Sequence, residues 1–178
     1  MIRTAQPADA VPIAKVHVAS WRTTYRGLLP DAYLAALDVD AYSGRWERSL
    51  TSPRSRGTVF VAEVEGQVVG FASGGPERDE DPRYGGELYA IYLLPEFQRL
   101  GLGRALVVAT AGALAERRLT SVVTWVLRDN RPARTFYERL GGVYLRDRLV
   151  DLGADGSMEV PEVSYLWVDT RSGLLGPR

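Results

Sequence analysis

The sequence predicts one mixed α/β domain, a sheet of about seven strands with helices on both faces. Three observations carry that prediction. Short runs rich in β-branched and aromatic residues alternate with longer stretches of helical spacing. Their order is strand, helices, three strands, helix, strand, helix, two strands. Nothing divides the 178 residues, because no internal repeat and no linker-like segment is present. The domain is expected over 1–169, with 170–178 a frayed tail.

Residues 2–5 read as a short strand. Asp9 is placed to cap a helix reaching about Arg22, with Pro12 tolerated in its first turn. Ile13, Val16 and Ser20 share one face of it; His17, Trp21 and Tyr25 follow each other at helical spacing on another. A loop over 26–30 leads to a short helix capped by Asp31, then to a helix over 40–50. The polar stretch 52–57 is a surface loop. Strands over 58–65 and 67–73 turn at Gly66 as a hairpin. The loop 74–86 carries Glu77, Asp79, Glu80 and Asp81, most simply a solvated acidic loop that also attracts cations. Residues 87–94 form the central strand, stopped by Pro95. The helix over 103–118 has an almost wholly apolar middle and is expected to pack under the sheet. Residues 121–127 form a buried strand. Asn130 caps a helix over 131–140 that Gly141 ends. A hairpin of 144–152 and 160–168, turning at 153–156, completes the sheet.

Composition narrows the function. Hydrophobic residues make up 46% and charged residues 25%, and net charge is zero, so no global field draws the chain to nucleic acid or an anionic membrane. The absence of cysteine removes disulfides, thiolate metal sites and a cysteine nucleophile. The apolar run 105–115 is too short to span a bilayer, and Pro7, Asp9 and Pro12 break any secretory signal. A cytoplasmic protein without nucleic-acid or membrane partners is expected.

The chemistry concentrates in 87–106. Gly101 and Gly103 form a turn between a strand and a helix start. Turn amides and the unpaired amides of a first helical turn converge there into an anion site. Position 104 is arginine, so the Walker A lysine is missing. A dinucleotide fingerprint would need glycine where Leu106 stands. A Ser-His-Asp triad would rest on His17, the only histidine, without a Gly-x-Ser-x-Gly elbow. One histidine and no cysteine support no metal site, and none is expected. What remains is an anion-binding turn beside a strand that starts with a carboxylate, Glu87.

Gln98-Arg99-Leu100-Gly101-Leu102-Gly103 resembles the Gln/Arg-x-x-Gly-x-Gly/Ala signature of the GNAT superfamily of N-acetyltransferases. Asn130-x-x-Ala133-x-x-Phe136-Tyr137-Glu138-x-x-Gly141 is similar to a second family motif, in the right order and with a helix and a strand between. Gly142 stands where the family usually has an aromatic residue. The resemblance implies a mostly antiparallel twisted sheet splayed at its central strands. It implies acetyl-CoA as donor and an amine as acceptor, either a small molecule or a protein or peptide. The pyrophosphate would lie on the amides of Arg99, Leu100, Gly101, Leu102, Gly103 and Arg104. The strand would be bulged before the turn, and the pantetheine arm would pair with Ile91, Tyr92 and Leu93 like an added strand. An amide near Leu93 would polarise the thioester carbonyl.

Further roles come with the resemblance. Tyr137 would protonate the departing thiolate, since phenol and thiol normally differ by only about 1.5 pKa units. Asn130 would contact the cofactor arm as well as cap its helix. Glu87 is a candidate base, direct or through water, and strand alternation places it on one face with Tyr89, Ile91 and Leu93. Trp21, Arg22, Tyr25 and Tyr33 are candidates for acceptor contact, because family acceptor sites are built from this first helical region. Their alternative is ordinary packing. Family members commonly dimerise, so a homodimer is a further expectation. The competing function is a non-catalytic acyl-CoA-binding sensor or interaction module on the same fold.

Overall fold

The hairpin of β2 (Thr58–Val64) and β3 (Gln67–Pro76) shows how local chemistry starts the sheet. Glu65 and Gly66 both have positive φ, +51° and +79°, the pairing that a tight two-residue hairpin turn requires. The structure, a computed structural model, describes residues 1–79, 81, 83–153 and 158–173, the side chains of 172 and 173 excepted. β1 (Ile2–Thr4), β4 (Gly86–Leu93), β5 (Val122–Leu127), β6 (Val143–Asp151) and β7 (Glu159–Trp167) complete a seven-stranded sheet of order β1-β2-β3-β4-β5-β7-β6. All neighbours are antiparallel except β4 and β5. Residues 154–157, which take in most of the turn expected over 153–156, lie outside the described residues.

The parallel pair is short. It consists of Gly86↔Val122, Glu87↔Val123 and Leu88↔Thr124. Beyond Leu88 and Thr124 the strands part, and the sheet splays between 89–93 and 125–127.

Helices cover both faces. α1 (Ala10–Thr24) and α3 (Val39–Thr51) lie on one, where Ile13 and Val16 pack with Val59, Val61, Val68 and Phe71. α4 (Leu102–Glu116) and α5 (Arg131–Arg139) lie on the other, where Leu106, Val107 and Leu114 pack with Val69, Leu88, Val122 and Tyr165. The apolar middle of α4 is thus the floor of the larger core, as its sequence requires.

Several local expectations change. Asp9 does not cap α1; its carboxylate takes Arg3 Nη1 at 2.7 Å and Nη2 at 2.9 Å, plus the Gln6 N–H at 2.7 Å. A guanidinium fork outcompetes a single cap bond. Asp31 lies in the first turn of α2 (Asp31–Ala35) without a cap bond, whereas Asp38 caps α3 by accepting from Asp40 and Ala41. Of the tail expected over 170–178, residues 174–178 lie outside the described residues. Thr170–Gly173 forms a turn of helix, α6, and the Thr170 N–H donates to Thr120 at 2.9 Å.

The bulge in β4 has the largest consequence. Ser73 pairs with Ala90 and Gly74 with Leu88, so Tyr89 is an extra residue. Alternation inverts there. Leu88, Ile91 and Leu93 all face the α4 core, while Ala90 and Tyr92 face α1 and α3. Glu87 therefore does not share a face with Ile91 and Leu93, because strand parity does not survive an inserted residue.

Candidate active site

The glycine turn follows a 3-10 turn at Pro95–Phe97. Arg99 and Gly101 have positive φ, +61° and +81°. Gly101 is the N-cap residue of α4, and no side chain caps that helix. The first backbone bond into it is Ala105 N–H to Gly101 at 3.0 Å. Among the described residues, the amides of 99–104 donate to no backbone carbonyl. The first turn of α4 carries no acidic residue. A row of unspent donors at a positive dipole end is an anion cradle. Gly103 differs: it is helical, and a Cβ there would lie 3.3 Å from the Phe136 ring and 3.4 Å from Leu93, a tight fit rather than a conformational demand.

The last rung before the splay joins this turn to α5. Thr124 Oγ1 donates to the Leu88 carbonyl at 3.0 Å. Tyr137 is buried beside Thr124; burial pushes its phenol well above the usual range, and the Thr124 hydroxyl offsets part of that. The close match of phenol and thiol expected from ordinary values therefore does not hold for Tyr137. What burial secures instead is a fully protonated phenol. Asn130 is buried and caps α5 through its side-chain oxygen, which accepts from the Ala133 N–H at 3.3 Å. At Gly142, a Cβ would stand 2.9 Å from the Tyr137 carbonyl and 3.0 Å from Trp167. The indole of Trp167, supplied by β7, fills that space.

One edge of β4 faces the splay. The Leu94 N–H bonds back to Val69 on β3 at 2.9 Å. By alternation the amide of Leu93 points the other way. Its carbonyl accordingly accepts from Gln98 Nε2 at 3.1 Å and Ser20 Oγ at 3.5 Å.

On the α1 side, aromatic rings crowd the cleft. The Tyr25 and Tyr92 hydroxyls are 3.1 Å apart, and burial raises both phenols. Trp21 packs edge-on to Tyr25 at 4.9 Å and near Tyr33 at 6.2 Å between centroids. Trp21, Tyr25 and Tyr33 thus come together. Arg22 does not join them; it donates to the Leu34, Ala35 and Leu37 carbonyls and so finishes α2.

Glu87 is 2% exposed and held by Arg78. In the acidic loop Glu77, Asp79 and Asp81 are all partnered, while Glu80 lies outside the described residues. Glu77 accepts from the Asp79 and Asp81 amides, Asp79 pairs with Arg148 at 3.1 Å, and Asp81 with Arg83 and Arg146. Arg148 also binds Glu162 at 2.9 Å and lies 3.8 Å over the Trp125 ring. The buried Trp125 indole N–H has no partner among the described residues. Arg78, Arg148, Trp125 and Glu162 escaped the sequence reading. Trp125 left a faint signal, since alternation puts it on one face with Val123 and Leu127, opposite Val122, Thr124 and Val126. The three charged residues left none, because only the path of the loop brings them together. Among the described residues, no three His, Cys, Asp or Glu side chains stand together as a metal site.

Residues 20–142 match the Acetyltransferase (GNAT) family. The uncharacterised N-acetyltransferase YuaI of Bacillus subtilis (strain 168) is 41% identical over 170 residues, covering 94% of this chain and 92% of that one. The chain belongs to the GNAT family of acetyl-CoA-dependent N-acetyltransferases. Its fold is shared by the PaiA N-acetyltransferase of Thermoplasma acidophilum, solved in complex with coenzyme A. That likeness has a TM-score of 0.70 at 21% identity, over 91% of this chain and 96% of that one. The acetyltransferase YncA of Salmonella typhimurium, solved with acetyl-CoA, gives 0.68 at 22% identity, over 96% and 93%.

Proposed function

We propose that this chain transfers acetyl from acetyl-CoA to a primary amine by direct attack within a ternary complex. The domain over 1–169 would do so in the cytoplasm, on a small-molecule amine or on a protein or peptide amine. The observation that carries the proposal is the conjunction at the splay: unspent amides over 99–104 at its mouth and the protonated Tyr137 at its vertex. CoA-bound relatives of the fold support the choice of cosubstrate.

The pyrophosphate takes the amides of 99–104. The pantetheine arm pairs with the open edge at Ile91, Tyr92 and Leu93, close to Asn130. The outward Leu93 amide polarises the thioester carbonyl. Trp21, Tyr25 and Tyr33 form one wall for the acceptor. As nitrogen bonds to the acetyl carbon and the carbon–sulfur bond breaks, the amine proton passes to Glu87 and Tyr137 gives its proton to sulfur. The Tyr137 proton is then replaced from solvent, and Glu87 loses the one it gained. Because Glu87 is buried, a water relay suits it better than direct contact.

Tyr137→Phe tests the placement. General acids contribute about 10²- to 10⁴-fold, so kcat should fall at least about a hundredfold while CoA affinity stays within about threefold. Unchanged turnover would remove the proton-donor role.

A further inference from the structure

Glu87 meets only one charged side chain among the described residues, that of Arg78, and from one residue it receives three hydrogen bonds. Oε2 accepts from the Arg78 backbone N–H at 3.1 Å and from Nε at 3.0 Å, and Oε1 accepts from Nη2. The strand partners of Glu87 are Gly75 on β3 and Val123 on β5. The Arg78 side chain is 56% exposed against 2% for Glu87, so the guanidinium is the carboxylate's contact with solvent.

Arg78 is itself held. Its guanidinium lies 4.6 Å from the centre of the Tyr89 ring. The Tyr89 hydroxyl donates to the Pro76 carbonyl at 2.6 Å, at the root of the same loop. Tyr89 occupies this place because it is the bulge residue. A fork with a backbone amide beside it defines the carboxylate plane as a point charge does not. Oε2 spends both lone pairs on Arg78, so Oε1 keeps the one left for an amine or a relaying water.

We propose that Arg78 is a positioning residue for acetyl transfer, fixing the orientation of the Glu87 carboxylate at the acceptor end of the cleft. The inference rests on the reading of Glu87 as proton acceptor. Arg78 touches neither substrate nor thioester; it acts through Glu87. The bulge, the stack on Tyr89 and the fork on Glu87 form one device, which ties the loop after β3 to the strand that carries the reaction.

Four variants test it, Glu87→Gln, Arg78→Ala, Arg78→Lys and the double variant of the first two, each assayed with acetyl-CoA and an amine that the wild type acetylates. Arg78→Ala should lower kcat about tenfold to a hundredfold, leave the KM for acetyl-CoA within about twofold, and recover turnover with added guanidinium. Arg78→Lys should recover less than guanidinium does, because it lacks the fork. The double variant should be no slower than Glu87→Gln alone, since Arg78 has no other route to the reaction. Arg78→Gln replaces Arg78→Ala if the latter fails to fold. Wild-type kcat in a folded Arg78 variant, or losses that multiply in the double variant, would overturn the inference while leaving Glu87 as base. Wild-type turnover in Glu87→Gln would remove the base itself, and the inference with it.

Discussion

His17 stands in a box of rings and stays neutral far below the usual imidazole range. Burial, with a smaller push from Arg45, lowers it to about 4. Tyr92 stacks on it at 5.1 Å, Tyr42 meets it edge-on at 4.6 Å, and Trp46 Nε1 donates to Nδ1 at 3.3 Å. That last bond needs an unprotonated Nδ1. The sign of the pH effect follows. The unfolded chain takes up the proton near pH 6.5 and the folded chain only near 4, so the stabilisation is complete above 6.5 and is lost as pH falls towards 4. The loss is at most about 3 kcal/mol. Asp9, lowered by Arg3, acts in the same sense but only below its ordinary value of 3.8. Denaturant midpoints at pH 7 and pH 5 should therefore differ clearly in the wild type and much less in His17→Asn, which retains an acceptor for Trp46. Equal differences in the two proteins would assign the pH dependence elsewhere.

Among the elements, the turn between β4 and α4 is where local conformation bears most directly on binding. Gly101 has φ +81° and nothing within 4 Å of where a Cβ would stand, so Gly101→Ala meets strain and no clash. A non-glycine residue in that conformation costs about 1–2 kcal/mol, which corresponds to roughly tenfold in affinity if the turn relaxes. Titration with CoA should show that loss, with the fold intact by circular dichroism. Unchanged affinity would place the pyrophosphate off these amides. Gly101, Asn130 and the Gly66 hairpin were legible in the sequence because each obeys a rule spanning a few residues. The parity of β4 was not, because the bulge depends on how β3 pairs with it. The destination of Arg22 was likewise hidden, since the α2 carbonyls that it satisfies are brought near only by the fold. Asp9 shows the same limit: it lies where a cap belongs, but Arg3 on β1 claims it first.

At the scale of the molecule, two layers of helices press on a sheet that is continuous at both ends and open in the middle. The opening follows from pairing that stops at Leu88 and Thr124. Order and type of the elements were readable from periodicity, and the glycine turn between β4 and α4 from its two glycines. The charged face beside β5 was not, because the loop after β3 and the β6–β7 face meet through Arg146 and Arg148, far apart in sequence from Asp81 and Asp79. That face mixes Asp79, Asp81 and Glu162 with the two arginines over Trp125. Among the described residues, no helix is long and apolar enough to cross a membrane. The direct test is a panel of small amines and peptides with acetyl-CoA, reading thiol release in a protein with no thiols of its own. Direct attack in a ternary complex predicts release that needs a primary amine, equals the acetylated amine formed, and gives intersecting lines when both substrates are varied. Tight CoA binding with no transfer to any amine, or parallel lines through an acetylated protein, would contradict it.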